Sequence, residues 1–161
     1  FSFSLVSLLL IAAGRLDFRS EGLLLLTDDG QLINRLSDPR HHVEKTYYVQ
    51  VEGTPTPETL AILQKGIALK EFTALPAKAR LIPDPNLPLR SKPITPHGPT
   101  AWLEIRLREG KKHQVRLMTN AVGLPTLRLV RVAIGSLALG QLQPGEGREV
   151  TKDELRKLWT Q

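Results

Sequence analysis

The sequence predicts an α+β fold, and three observations carry that reading. Lys45 to Glu52 is rich in β-branched and aromatic residues, and Trp102 to Arg108 alternates apolar with polar or charged residues, as half-buried strands do. Two other segments carry helix signals: Thr56-Pro57-Glu58 opens a run that stops at Gly66, and Thr151 with Glu154 forms a capping box. No internal repeat links these segments, and 161 residues fit a single domain spanning residues 1–161, long enough to bury a real core.

The elements follow in chain order. Phe1 to Ala13 (FSFSLVSLLLIAA) carries no charge. It is too short to cross a bilayer and lacks the basic start of a secretion signal, so a buried strand or a truncation scar is expected there. Asp17 then sits in a polar turn bounded by Gly14 and Gly22, between Arg15 and Arg19. The four leucines Leu23 to Leu26 predict a segment buried on both faces. Asp28-Asp29-Gly30 caps a short helix through Asn34, Arg35 and Leu36 that Asp38-Pro39 ends. After the strand at Lys45 and the helix at Thr56, the residues Ala77, Ala79 and Leu81 alternate with Lys78 and Arg80 as on a half-buried strand. Asp84 to Pro99 is proline-rich and predicts a loop. Lys112 to Val122 predicts a helix stopped by Gly123, Leu127 to Val132 a further strand, and the last helix ends near Trp159.

Composition narrows the function. Cysteine is absent, which excludes a disulfide framework and thiolate metal sites and agrees with a cytoplasmic location. The net charge is +6, and the excess is local: between Glu104 and Arg131 there are seven Lys or Arg and two acids. A basic surface of that kind points to an anionic partner, with nucleic acid the first candidate. Aromatic residues make up only 5%, too few for a broad base-stacking platform. The adjacent His41 and His42 have no metal-ligand pattern around them, and no phosphate-cradling glycine loop, dinucleotide fingerprint or HExxH motif occurs.

Three places offer chemistry. Asp17 presents a carboxylate beside two arginines, either aimed at a reaction or paired within a surface turn. Tyr47 offers a flat face for a base and a hydroxyl for a proton, or else packs half-buried against the core; Tyr48 must point the other way. Lys111, Lys112 and His113 lie at a helix start, where amide dipoles add to side-chain charge in binding phosphate.

These segments resemble one enzyme family. GRLDFRSEGLLLLTDDG resembles the GRLDxxSEGLLLLTNDG motif of the RsuA/RluB/RluE/RluF family of ribosomal RNA pseudouridine synthases. KTYYV carries the family's Lys-x-Tyr-x-Val, EGKKHQVRLM is similar to its EGRxxQVRRM, and VGLPTLRL to its VGxPVLRL; Ile134-Gly135 and Leu137 fit the IGxLxLG that follows. The resemblance runs from about Ala12 to Trp159 and is strongest to the RluE type. It implies the pseudouridine synthase fold, a mixed and largely antiparallel sheet flanked by helices with a basic cleft. It also implies conversion of a uridine in RNA to pseudouridine, with neither cofactor nor metal. Asp17 would be the nucleophile, attacking carbon 6 of the base or carbon 1′ of the ribose; Tyr47 would stack on the base. Arg116 would pair with Asp17, keeping it ionised and oriented. RNA contacts would fall to Arg15, Arg19, Lys45, Lys111, Lys112, His113 and Gln114.

The same resemblance sets the partner expectations: a monomer acting on large-subunit ribosomal RNA, away from membranes. Small-subunit RNA or a tRNA is the alternative within the same chemistry. Two departures from the pattern stand out. Leu117 replaces a second arginine, and no Lys-Pro motif precedes the GRLD segment, so the N-terminus of the domain is expected to be truncated or altered. An S4-type RNA-binding domain is not expected. A catalytically impaired, RNA-binding remnant is the alternative from a different functional class.

Overall fold

The computed structural model describes residues 11–12, 16–41 and 43–158. Expectations for Phe1 to Leu10, Ala13, Gly14, Arg15, His42 and Trp159 lie outside the described residues. In chain order the elements are β1 (Ile11–Ala12), β2 (Glu21–Gly22), β3 (Leu26–Thr27), α1 (Gly30–Ser37) and β4 (Lys45–Glu52). There follow α2 (Pro57–Lys65), β5 (Ile67–Ala68), β6 (Thr73–Ala74), β7 (Lys78–Ile82) and β8 (Thr100–Leu107). The chain continues through α3 (Gln114–Ala121), β9 (Thr126–Ile134), β10 (Leu137–Ala138) and α4 (Lys152–Lys157).

The strand rich in β-branched and aromatic residues is the centre of the main sheet. β4 pairs antiparallel with β8 along its whole length, from Lys45 opposite Leu107 to Glu52 opposite Thr100. Its other edge pairs antiparallel with β9, with irregularities between Thr46 and Tyr47 and between Gln50 and Val51. β7 extends the sheet beyond β8, and β10 beyond β9, giving the order β10-β9-β4-β8-β7. β2 joins β9 in parallel, which makes the sheet mixed. The α+β architecture and the largely antiparallel sheet agree with the sequence reading.

Two apolar clusters hold this sheet. In the larger one, Val49, Val51, Leu103, Ile105 and Leu129 from the sheet meet Leu63 of α2 and Val115 and Met118 of α3. The smaller one gathers Leu23, Leu25, Leu36, Val43, Ile134, Leu137 and Leu158, so α1 and the end of α4 close over the N-terminal segment. The helix ends form as their residues dictate. Asp29 accepts hydrogen bonds from the Gln31 and Leu32 amides at the start of α1. Capping boxes open α2 at Thr56 and α4 at Thr151.

Three expectations need correction. The leucine run is not buried on both faces: Leu23 and Leu25 are buried, while Leu24 and Leu26 are 43% and 51% exposed. The segment alternates like any half-buried strand, and a run of one residue type conceals that. Leu81 is also exposed, although Ala77 and Ala79 of the same edge region are buried. Finally, α3 begins at Gln114 and not Lys112, because His113 adopts a left-handed backbone at φ 56° and only its successor turns helical.

Tyr48 serves the opposite face from Tyr47, as alternation requires. Its neighbour in register, Glu104, is buried and takes hydrogen bonds from Arg80 and Arg106. The Arg80 guanidinium, with help from Arg106, holds the Glu104 carboxyl below the usual carboxylate range.

Candidate active site

The Asp17 segment is built from polar contacts, and three arginines make them. Arg116 of α3 donates through Nη2 to the Arg19 carbonyl at 3.0 Å. Arg128 of β9 grips the Glu21 carboxylate with two hydrogen bonds of 2.9 Å. Arg131, also of β9 and 3% exposed, donates through Nε and Nη2 to the Leu23 carbonyl at 3.0 and 2.8 Å. The Leu23 amide returns a hydrogen bond to the Arg131 carbonyl at 2.8 Å. Residues 19, 21 and 23 are thus tied in turn to the main sheet and α3. Gly22 is the tightest point: its φ is +110°, and a Cβ there would stand 2.2 Å from the Arg131 carbonyl oxygen. No side chain fits between β2 and β9 at that position.

Asp17 stands at the head of this segment, in a turn closed by a hydrogen bond from the Ser20 amide to its carbonyl at 2.9 Å. Its carboxylate Oδ2 lies 3.1 Å from Nδ1 of His113. The two form an ion pair when the imidazole is protonated. Arg116 is close enough for its charge to feel Asp17, but its hydrogen bond goes to the Arg19 carbonyl. The expected direct partnership is therefore corrected: His113 touches the carboxylate, and Arg116 fixes the turn. Burial weakens the hold of Arg116 on its proton, as do Arg19 and Arg90; Asp17 and Glu21 oppose this. A guanidinium keeps its charge regardless.

The loop that carries His113 to Asp17 is held by side-chain hydrogen bonds. The Lys111 amide donates to Gln114 Oε1 at 3.0 Å, and Gln114 Nε2 donates to Glu109 Oε1 at 2.6 Å. That same Glu109 oxygen accepts the Leu75 amide at 2.8 Å. Gln114 is 3% exposed. Gln114, expected to contact RNA, is buried here with its amide engaged in shaping the loop. Lys111, Lys112 and His113 are exposed, as an RNA-facing cluster requires.

Tyr47 lies beside this group on β4, opposite Arg131 in the pairing with β9. It packs against the larger apolar cluster, and burial pushes its phenol above the usual range; the Arg131 guanidinium beside it works the other way, and Asp17 adds to the rise. Tyr47 is thus a protonated hydroxyl near neutral pH, placed among Asp17 and Arg131. Lys45 is partly buried, with its Nζ over Gly110. Burial, with the Arg131 charge, lowers its pKa. It is less open to phosphate than the lysines at 111 and 112.

The proline-rich loop completes the site. Arg128 also donates to the Pro88 carbonyl, and Arg90 Nε lies 3.6 Å from Glu21. The loop is therefore hitched to the carboxylate that anchors the Asp17 segment. The grooves along β7 and β8, lined by Glu44, Lys78 and Arg106 among others, contain none of Asp17, Tyr47 or His113. Among the described residues no group of three or more His, Cys, Asp or Glu is arranged to hold a metal ion. No described helix is long and apolar enough to cross a membrane.

Sequence reasoning missed Glu21, Arg90, Arg128 and Arg131 as parts of the site. A signal was present in TLRLVRV, where two arginines interrupt an otherwise apolar strand. An arginine in such a setting is either solvated or fully partnered, and only the burial of Arg131 distinguishes the two.

Comparison with known proteins places this geometry. The family described as RNA pseudouridylate synthase matches residues 5–121. A protein of Xanthomonas axonopodis pv. citri named ribosomal large subunit pseudouridine synthase E is 56% identical over 136 residues, 83% of this chain and 72% of that one. Ribosomal small subunit pseudouridine synthase A of Salmonella typhimurium is 39% identical over 148 residues, 91% of this chain and 58% of that one. A crystal structure of a pseudouridylate synthase superposes with a TM-score of 0.81 at 34% identity, covering 98% of this chain and 63% of the other. A carboxylate on a turn tied down by three arginines, with a partly buried tyrosine beside it, is thus set in the fold of a known class of RNA isomerases, and the chain belongs to the RNA pseudouridylate synthase family.

Proposed function

We propose that this chain converts a uridine of large-subunit ribosomal RNA into pseudouridine, with Asp17 as nucleophile. The observation that carries the reading is the convergence of Asp17, His113 and Tyr47, supplied by three segments distant in sequence, beside the β4–β9 pair.

The target base has to leave the helix stack to reach Asp17. The carboxylate then attacks carbon 6 of the uracil or carbon 1′ of the ribose, and the glycosidic bond breaks. The base turns, carbon 5 bonds to carbon 1′ of the ribose, the bond to Asp17 breaks to return the free carboxylate, and the proton on carbon 5 leaves. Tyr47 offers its face to the base while Arg131 holds its hydroxyl end. His113 fixes the carboxylate in the free enzyme and Arg116 fixes the turn beneath it, so the nucleophile is oriented before RNA arrives. Lys111 and Lys112 meet the phosphate backbone, which makes affinity fall as salt rises.

Large-subunit RNA is favoured over small-subunit RNA because the large-subunit relative matches at 56% identity against 39% for the small-subunit one. The test is to offer unmodified transcripts of both RNAs, labelled with tritium at uracil carbon 5, and to map any product by carbodiimide modification and primer extension. Tritium release and a single mapped site in the large-subunit transcript are expected. Release confined to the small-subunit transcript would reverse the substrate assignment, and release from neither would refute the activity.

A further inference from the structure

The side chain next to the nucleophile has no role so far. Phe18 follows Asp17 directly and is exposed over its whole surface, at 103% of the reference value. Single exposed hydrophobic residues are ordinary on protein surfaces. This one is distinguished by its footing and its neighbours. The backbone beneath it is fixed by the Ser20–Asp17 turn, by Arg116 on the Arg19 carbonyl and by Arg128 on Glu21. A ring held on a rigid turn loses little freedom when something packs against it.

The surroundings are cationic and carry a second apolar tip. Arg19 is exposed beside the ring, and Arg90 comes from the proline-rich loop to within 3.6 Å of Glu21. Leu89, next to Arg90, is 91% exposed. Phe18 and Leu89 therefore stand on two segments that converge on Glu21, each adjoining an arginine. Apolar faces set between guanidiniums match the alternation of base and phosphate along a nucleic acid strand.

We propose that Phe18 stacks on the nucleobase adjoining the flipped uridine, with Arg19 and Arg90 on the flanking phosphates. This rests on the pseudouridine synthase reading. Extrusion of the target leaves its neighbour without a stacking partner, and a ring one residue from the nucleophile is placed to take that position. The substrate class implied is an RNA segment whose base next to the target can be unstacked, such as a loop or a helix end.

Phe18→Ala and Phe18→Trp test this, with unmodified large-subunit ribosomal RNA transcript as the probe. Both variants should unfold at the temperature of the parent, since the ring is fully exposed. Phe18→Ala should lose about ten-fold or more in kcat/KM, and Phe18→Trp should stay within about three-fold of the parent. The new indole should also be quenched saturably by RNA, read against the parent, in which Trp102 and Trp159 give the background. Tritium release by Phe18→Ala within about two-fold of the parent would overturn the proposal. So would unchanged emission of Phe18→Trp at saturating RNA. Concentration-dependent dimerisation of the parent lost in Phe18→Ala, with RNA quenching absent, would assign the ring to a second copy of the chain instead. A parent that releases no tritium refutes the activity, and the quenching then still decides the stacking on its own.

Discussion

The two ends of the candidate active site are held by different physics. Tyr47 stands on the central strand, against a cluster that includes fully buried Val49, Val51, Leu103, Ile105 and Met118. Asp17 stands on a segment whose hold on the main sheet is chiefly polar: three arginine side chains, one short parallel pair and a glycine that admits no Cβ. Its apolar support, through Leu23 and Leu25, comes from the smaller cluster. Apolar packing gives rigidity without direction, whereas charge-assisted hydrogen bonds fix orientation at particular atoms. The division suits a site in which one partner is a flat platform and the other a carboxylate that must be aimed.

The comparison predicts that damage to the polar ties should exceed what their number suggests. The largest effect is expected for Gly22→Ala. The added methyl would meet the Arg131 backbone at 2.2 Å and force a φ of +110° on a residue with a Cβ. A loss of about 3 kcal/mol or more, with activity falling to background, is expected by thermal unfolding and tritium release. A folded, active Gly22→Ala enzyme would show that β2 need not lie against β9.

Arg131→Met comes next. It keeps the length of the side chain but leaves the buried Leu23 carbonyl without its two donors and removes the charge beside Tyr47. About 2–3 kcal/mol of stability should go, with a larger loss in kcat than in RNA affinity. Equal losses in both would place Arg131 in RNA binding. Glu21→Gln should be milder. It weakens the two hydrogen bonds from Arg128 and releases Arg90, and about 1 kcal/mol is expected, with a looser proline-rich loop seen as faster amide exchange.

The smallest effect is electrostatic and lies far from the chemistry. A hydrogen bond from the Arg148 guanidinium, with the Thr151 amide, holds the Glu154 carboxyl down to about 2, against an ordinary value of 4.5. A carboxylate depressed in the folded state stabilises it above the ordinary value, and that support is lost as pH falls through the folded one. The difference in Tm between the parent and Arg148→Ala should therefore be present at neutral pH and vanish as pH falls from about 4.5 toward about 2. The exposed setting makes it a small difference, screened by salt.

The two regions were also unequally legible from sequence. The platform was readable, because β4 is rich in β-branched and aromatic residues, the sequence of β8 alternates apolar with polar or charged residues, and helix α2 carries both its cap and its stop. The aimed end was readable only in part. Asp17 and Tyr47 stood out through their motifs, but the contacts that place Asp17 cross 97 to 108 residues of chain, from Arg19 to Arg116 and from Leu23 to Arg131. Spacing along a sequence carries no trace of such partners. His113 falls at an expected helix start, yet its backbone is left-handed and its imidazole lies against the carboxylate; histidine is enriched in that conformation, but too weakly to mark one position in a sequence. The family resemblance points to Arg116 as a direct partner of Asp17, whereas its hydrogen bond goes to the backbone at Arg19.

The central claim is that Asp17 performs the chemistry while the surfaces around it bind RNA. It is tested most directly by measuring turnover and RNA affinity on one preparation of Asp17→Asn beside the parent, with tritium release from unmodified large-subunit ribosomal RNA as the first readout and filter binding as the second. The account predicts no release by the variant and an affinity within about three-fold of the parent, because the phosphate contacts are untouched. Release at the parental rate would contradict it and move the nucleophile elsewhere.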